Sequence, residues 1–281
     1  MRRVIEARIL TAIDARVAAL LTARPRPQRA LLVDGWTFGL VDADREARLA
    51  RWTDVFEPAA EGLALHATLA TPPARTDALE SVVRTLRDEG ALTAWRNERY
   101  AVARRFEAPP AFDLERAAAR YFGIQTYAAH ANGLVGTGAD VRMWLARRSA
   151  TKAIDPGLLD NLVGGGITAG EAPLATLVRE AWEEAGITAD LAMQARATGT
   201  IHVERAVPDG FQRETIFTYD LALPGDFRPA SQDGEAVEHR CLGLPAVADV
   251  LAQTSGAEVM TLDATMVALS CLRRHAGTAA A

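Results

Sequence analysis

Apolar positions along the chain change period several times, and each change marks an element. "MRRVIEARILTAIDARVAALLT" spaces its apolar residues at three and four, which predicts a helix over about residues 3–22 before the polar breaker "RPRPQ". In "ALLVDGWTFGLV" two apolar runs flank Asp34-Gly35, the pattern of two strands joined by a tight hairpin. "GLALHATL" adds an extended run. "TDALESVVRTLRDEGAL" reads as a helix capped by Thr76, with Leu79, Val82, Val83 and Leu86 on one stripe and Gly90 as its stop. "ERYAVARRF" alternates as a strand, and "APPAFDLERAAARYFGI" supplies a linker and a helix leading into a second part near residue 120.

That second part is richer in strands: "TYAAHANGLV", "VRMWLARRS", "LDNLVGGG", "TGTIHVERAV", "QRETIFTYDLAL" and "AVEHRCLGL". It closes with a helix, "TLDATMVALSCLRRH". A mixed sheet with helices on both faces accommodates this order most simply. The chain therefore divides into a small α+β domain over residues 1–118 and an α/β domain over residues 119–281.

One helix lies between two glycine signals, in "VGGGITAGEAPLATLVREAWEEAGI". Thr168 and Glu171 have the spacing of a capping box, so the helix is expected from Thr168 to Ala185, with Gly186 ending it. Leu174, Leu177, Val178, Ala181 and Ala185 form its core stripe, and Trp182 at the stripe's edge is assigned to packing. Glu180, Glu183 and Glu184 fall together on the opposite face, with Arg179 one turn before Glu183. Like charges at this spacing repel by about 0.2–0.5 kcal/mol per pair. A solvated acidic face would tolerate that cost, whereas a bound divalent cation would reverse it. Hard carboxylate ligands beside a glycine turn suit Mg²⁺ or Mn²⁺, and glycine lets backbone approach the ion or a phosphate closely.

Composition narrows the classes. The 281 residues are 49% hydrophobic and 24% charged, enough for two cores. A net charge of −5 argues against nucleic acid as the main partner. Arginine outnumbers lysine 30 to 1, so the arginine-rich start is a general bias and not a targeting signal. No segment has the apolar length of a membrane span or signal peptide. Cys241 and Cys271 lack metal-ligand spacing, and a reducing, cytoplasmic location is expected.

From Gly165 the stretch reads Gly, five residues, Glu171, seven residues, then Arg179-Glu180-Ala181-Trp182-Glu183-Glu184-Ala185-Gly186-Ile187. Starting at Gly164 or Gly166 misplaces the glutamate. This is the full Nudix box, and the chain resembles the Nudix hydrolases. The resemblance implies an α/β/α sandwich and a metal-dependent attack of water on an organic diphosphate. It implies that Glu180, Glu183, Glu184 and the Gly165 carbonyl bind Mg²⁺ or Mn²⁺. Arg179 would hold a catalytic glutamate, and Glu171 would be a secondary carboxylate. The general base is either Glu180 or a downstream carboxylate, Glu235 or Glu238 in "DGEAVEH".

Flanking segments, among them "VDGWTFGLVD", "AWRNERYAV", "RRSATKAIDPGLLDNLVGGGI" and "HVERAVPDGFQRETIFTYDLALP", resemble the Nudix subfamily related to the extension of fungal thiamine pyrophosphokinase. That resemblance implies an accessory N-terminal domain and a diphosphatase acting on thiamine diphosphate or its oxo and oxy analogues. A nucleotide-sugar or dinucleotide pyrophosphatase, and a non-catalytic ligand sensor, are the alternatives. Lys152, Arg147, Arg148 and Arg213 are candidates for phosphate contact. His202 on a strand is either structural or a substrate contact. Trp36, Trp95 and Trp144 either pack or stack on a ring. The expected partner is a small diphosphate, with no nucleic acid and no membrane, and homodimerisation stays open. The N-terminal domain is expected to cover the ring end of the substrate.

Overall fold

The computed structural model describes residues 5–27, 29–256 and 258–278. Asp34 and Gly35, both at positive φ (48° and 77°), turn the first hairpin between β1 (Arg29–Val33) and β2 (Trp36–Val41). Helix α1 (Ala7–Thr22) precedes it. After it come α2 (Ala43–Leu49), β3 (Phe56–Ala59), β4 (Gly62–Leu65), α3 (Pro72–Asp88), β5 (Arg99–Val102) and β6 (Phe112–Glu115). The first sheet runs β2-β1-β4-β3, and β5 pairs with β6 separately. Leu79, Val82, Val83 and Leu86 of α3 pack with Leu31, Phe38 and Phe112 in one core, so the stripe read from sequence is the buried one.

Two local expectations change. Thr71, not Thr76, caps α3, accepting from the Ala74 N–H at 3.4 Å just ahead of a proline start. Thr76 lies inside the helix, where its hydroxyl donates to the Pro72 carbonyl and accepts from the Asp113 N–H. The segment "APPAFDLERAAARYFGI", expected as a linker and a helix, contains β6, and its helix shrinks to a 3₁₀ turn and the single-turn α4 (Ala119–Phe122).

The second sheet is mixed. It is built from β7 (Gln125–Val135), β8 (Arg142–Arg148), β9 (Leu159–Asn161), β10 (Val163–Gly166), β11 (Arg196–Val207), β12 (Gly210–Leu223) and β13 (Ala236–Gly243). The main path is β11-β12-β7-β8-β13; β10 pairs with β7 and β9 with β8. Helix α5 (Pro173–Ala185) covers one face, with the short α6 (Ala189–Ala192) beside it; α7 (Leu244–Leu251) and α8 (Leu262–Thr278) cover the other. This is the expected α/β/α sandwich preceded by an α+β domain.

Sequence order groups α1 with the N-terminal domain, but its apolar stripe is buried in the second. Ile13 and Val17 join the core formed by α7, α8 and the sheet. Arg16 donates to the carbonyls of Leu251 at 2.8 Å and Met260 at 3.2 Å, satisfying groups at the end of α7 and the start of α8. Ile13→Ala should therefore destabilise the second domain by about 2–5 kcal/mol in urea unfolding. An unchanged midpoint would mean that α1 adds nothing to that core.

Candidate active site

Helix α5 starts later than the capping-box spacing predicts. Gly170 has φ of +83°, Ala172 is extended ahead of Pro173, and no side chain caps the helix. A residue before proline avoids the helical region, which fixes the start at Pro173. Thr168 and Glu171 still meet, hydroxyl to carboxylate at 3.1 Å, but in the turn before the helix. The end is as expected: Gly186 has φ of +64°, and its N–H and that of Ile187 return to Trp182 and Ala181. Leu177, Ala181 and Ala185 are buried, whereas Leu174 and Trp182 are exposed at 37% and 51%; these two do not form the core stripe.

The glutamate face is not a free surface. Glu180 is buried, with its carboxylate against Gly165. Glu184 accepts a hydrogen bond from the Gly164 N–H at 2.8 Å. A Cβ at Gly164 would strike the His130 ring, one at Gly165 would strike the Glu180 carboxylate, and one at Gly166 would strike the Tyr100 hydroxyl. Three glycines thus clear space for three different side chains.

Arg179 gathers the remaining carboxylates. It grips Glu171 through two bonds of 3.1 Å, Glu180 at 2.8 Å and Glu183 at 3.2 Å. Among the described residues, no three His, Cys, Asp or Glu side chains already converge as a metal cage. Burial raises the proton affinity of Glu180, and Arg179 opposes it. Glu184 is pushed well above the ordinary carboxylate range, first by burial and then by the nearby Glu180 and Asp160 charges.

Beside this edge lies a cavity of about 230 Å³ whose wall includes Gly164 to Gly166, Lys152, Arg148, Asp160, Arg116 and Tyr100. Of the candidate phosphate contacts, Lys152 and Arg148 are here. Lys152 pairs with Glu235, which Arg96 also holds at 2.9 Å, and Arg148 pairs with Asp160 at 2.8 Å. Arg213 lines the same cavity, with its guanidinium 3.5 Å from Glu204 and Nη1 buried without a hydrogen-bond partner among the described residues.

Arg147, Glu238 and His202 are not brought together with this group. Neighbouring strand residues face opposite ways, so Arg147 points away from Arg148's side. It bonds Glu238 at 2.7 Å and Glu258 at 3.2 Å. Arg240 and then Arg147 hold Glu238 down at about 2. His202 is exposed on β11 and meets the Thr215 hydroxyl at 3.0 Å, which fits the structural alternative. None of Trp36, Trp95 and Trp144 lines this cavity or its neighbour.

A second cavity, about 590 Å³, adjoins the turn at residues 167–172 and is lined by Phe106, Tyr127 and Glu171. Phe106 meets Tyr127 and Phe217 as tilted ring pairs, each with centroids 4.9 Å apart. Tyr100 lines both cavities. Sequence reasoning did not single out Tyr100, Arg116, Asp160 or Phe106. Only the alternation in "ERYAVARRF", which puts Tyr100 on the inward face of its strand, hinted at one of them.

Residues 129–261 match the NUDIX domain, and residues 16–126 match a domain of unknown function, DUF4743. The chain is 39% identical over 211 residues to Nudix hydrolase 20, chloroplastic, of Arabidopsis thaliana, covering 75% of this chain and 56% of that one. It is 40% identical over 209 residues to Nudix hydrolase 24, chloroplastic, of the same plant, covering 74% and 57%. The chain thus spans little more than half the length of these relatives. The crystal structure of DR0079 from Deinococcus radiodurans aligns with a TM-score of 0.47 at 22% identity, over 63% of this chain and 98% of that one. Residues 129–261 are accordingly similar to the NUDIX domain, and the residues before them to DUF4743.

Proposed function

We propose that the chain is a Mg²⁺- or Mn²⁺-dependent diphosphatase that, with water, converts thiamine diphosphate or its oxo and oxy analogues to the monophosphate and phosphate. The observation that carries this reading is the pair of cavities meeting at Tyr100, one aromatic and one lined by cations beside the glutamate helix. A substrate with a flat heteroaromatic body and a diphosphate tail matches that pairing. Ring faces stack in the first cavity, and guanidinium and ammonium donors receive phosphate oxygens in the second. The flanking segments that resemble the thiamine-related subfamily support the same reading, and the similarity to two plant Nudix hydrolases supports its hydrolase part alone.

The residues fit a divalent ion chemically. Burial and the charges of Glu180 and Asp160 raise the proton affinity of Glu184, and a cation relieves such repulsion. Glu180, Glu184 and the Gly165 carbonyl would hold the ion, joined by Glu183 when Arg179 releases it. When bound, the ion neutralises the diphosphate and polarises the attacked phosphorus. The chain's own groups do the rest. Lys152 and Arg148 orient the phosphates, and Arg179 fixes Glu180. Of the candidate bases, Glu180 and Glu235 stand at the site, the first held by Arg179 and the second by Lys152 and Arg96. Glu238 is turned to Arg147 and Arg240 and holds a proton too weakly.

Incubating the purified chain with oxythiamine diphosphate and Mg²⁺ should release inorganic phosphate, and Glu184→Gln should lower that rate by about 100-fold or more. No release above the variant would refute the assignment; a nucleoside monophosphate released from a dinucleotide instead would favour a pyrophosphatase.

Metal-free stability gives a second test. Because folding raises the Glu184 proton affinity, its stabilising contribution is full below the unfolded value of 4.5 and is lost as pH rises through the folded value. Without metal, Glu184→Gln should melt above wild type at pH 8, with a smaller difference at pH 5. Mg²⁺ should raise the wild-type midpoint more than the variant's. A variant melting below wild type at pH 8 would contradict the account of a strained buried charge.

A further inference from the structure

Tyr100 of β5 is only 7% exposed, yet its hydroxyl has no hydrogen-bond partner among the described residues. The residue is buried as a whole while its oxygen stays accessible from the cleft, which leaves the donor available to a ligand. The hydroxyl stands over Gly166, the third glycine of the run, and opens onto the two cavities that the ring divides. Burial pushes its proton affinity up to about 12, so it remains a donor at neutral pH.

Arg116, next to the end of β6, lines the cationic cavity with Tyr100 and lies close enough to feel the charge of Glu180. Glu98 accepts from its Nη1 at 2.6 Å. A guanidinium has five N–H donors, so one carboxylate bond leaves a fork available. Of the other cations of this wall, Arg96 and Lys152 share Glu235, and Arg148 spends both edges on Asp160 and the carbonyls of Ile154 and Asp155, whereas Arg120 and Arg213 make only longer ion pairs, to Asp209 at 3.6 Å and Glu204 at 3.5 Å.

We propose that Tyr100 and Arg116, both supplied by the N-terminal domain, bind the phosphoryl oxygens of the substrate across the cleft from the glutamate helix. The accessory domain then completes the active site. The ligand class is a diphosphate, whose charge accepts a phenol donor and a bidentate guanidinium together. Tyr100, at the junction of the cavities, sets where the tail ends and the ring begins. This rests on the reading above that an organic diphosphate occupies the cleft.

The test is calorimetric titration of inorganic pyrophosphate into the full chain with Ca²⁺. Tyr100→Phe should weaken pyrophosphate binding about 10-fold, and Arg116→Gln about 10- to 100-fold. Binding of Ca²⁺ alone and the melting temperature should stay near wild type. Should Arg116→Gln melt early, Tyr100→Phe, which keeps the packed ring, decides. Equal pyrophosphate affinity in wild type and Tyr100→Phe would overturn the proposal, as would a wild type that binds no pyrophosphate.

The two readings fail separately. Tyr100-dependent pyrophosphate binding without phosphate release from oxythiamine diphosphate keeps the clamp and removes the substrate. Turnover of that substrate with unaltered variants does the reverse.

Discussion

The site depends on the close approach of helix α5 to the β10 edge. Glu184 reaches the Gly164 N–H, and Glu180 fills the space that a side chain at Gly165 would occupy. A peptide N–H to a carboxylate is a charge-assisted bond, and here it anchors Glu184 and opposes in part the burial that raises its proton affinity. Arg179 supplies the compensating charge. By holding Glu171, Glu180 and Glu183 at once, it lets one short helix carry its acids against the protein interior.

The same edge explains why two domains meet there. Gly166, bare of a side chain, admits Tyr100 from the preceding domain, while Arg96 reaches across to Glu235. In the opposite direction, α1 leaves the first part of the sequence to fill the second core with Ile13 and Val17. The domains are thus tied in both directions, and the cleft wall is composite.

Much of this was legible in sequence, for identifiable reasons. Period-two alternation located the long strands, and the box spacing from Gly165 to Gly186 singled out the helix and its acids. The hairpin at Asp34-Gly35 followed from turn chemistry alone. What failed were inferences from local spacing that tertiary contacts override. Thr168 and Glu171 have capping-box spacing, but Gly170 and Pro173 displace the helix start. Arg147 and Arg148 look like one basic patch, yet strand alternation sends them to different partners, Glu238 and Asp160. That alternation was itself readable. The glutamate face seemed opposite the core because helical periodicity cannot show that a glycine strand packs against it. Tyr100 and Arg116 carry no motif, and only the meeting of two domains gives them a position at the site.

The most direct measurement is a crystal structure of the full chain with Mn²⁺ and a thiamine diphosphate analogue whose bridging oxygen is replaced by methylene. The account predicts an anomalous manganese peak held by Glu180, Glu184 and the Gly165 carbonyl. It also predicts the phosphonate tail between that ion and Tyr100, with the ring beside Phe106 and Tyr127. A manganese peak away from the α5 glutamates, or a tail that does not approach the β10 edge, would contradict it.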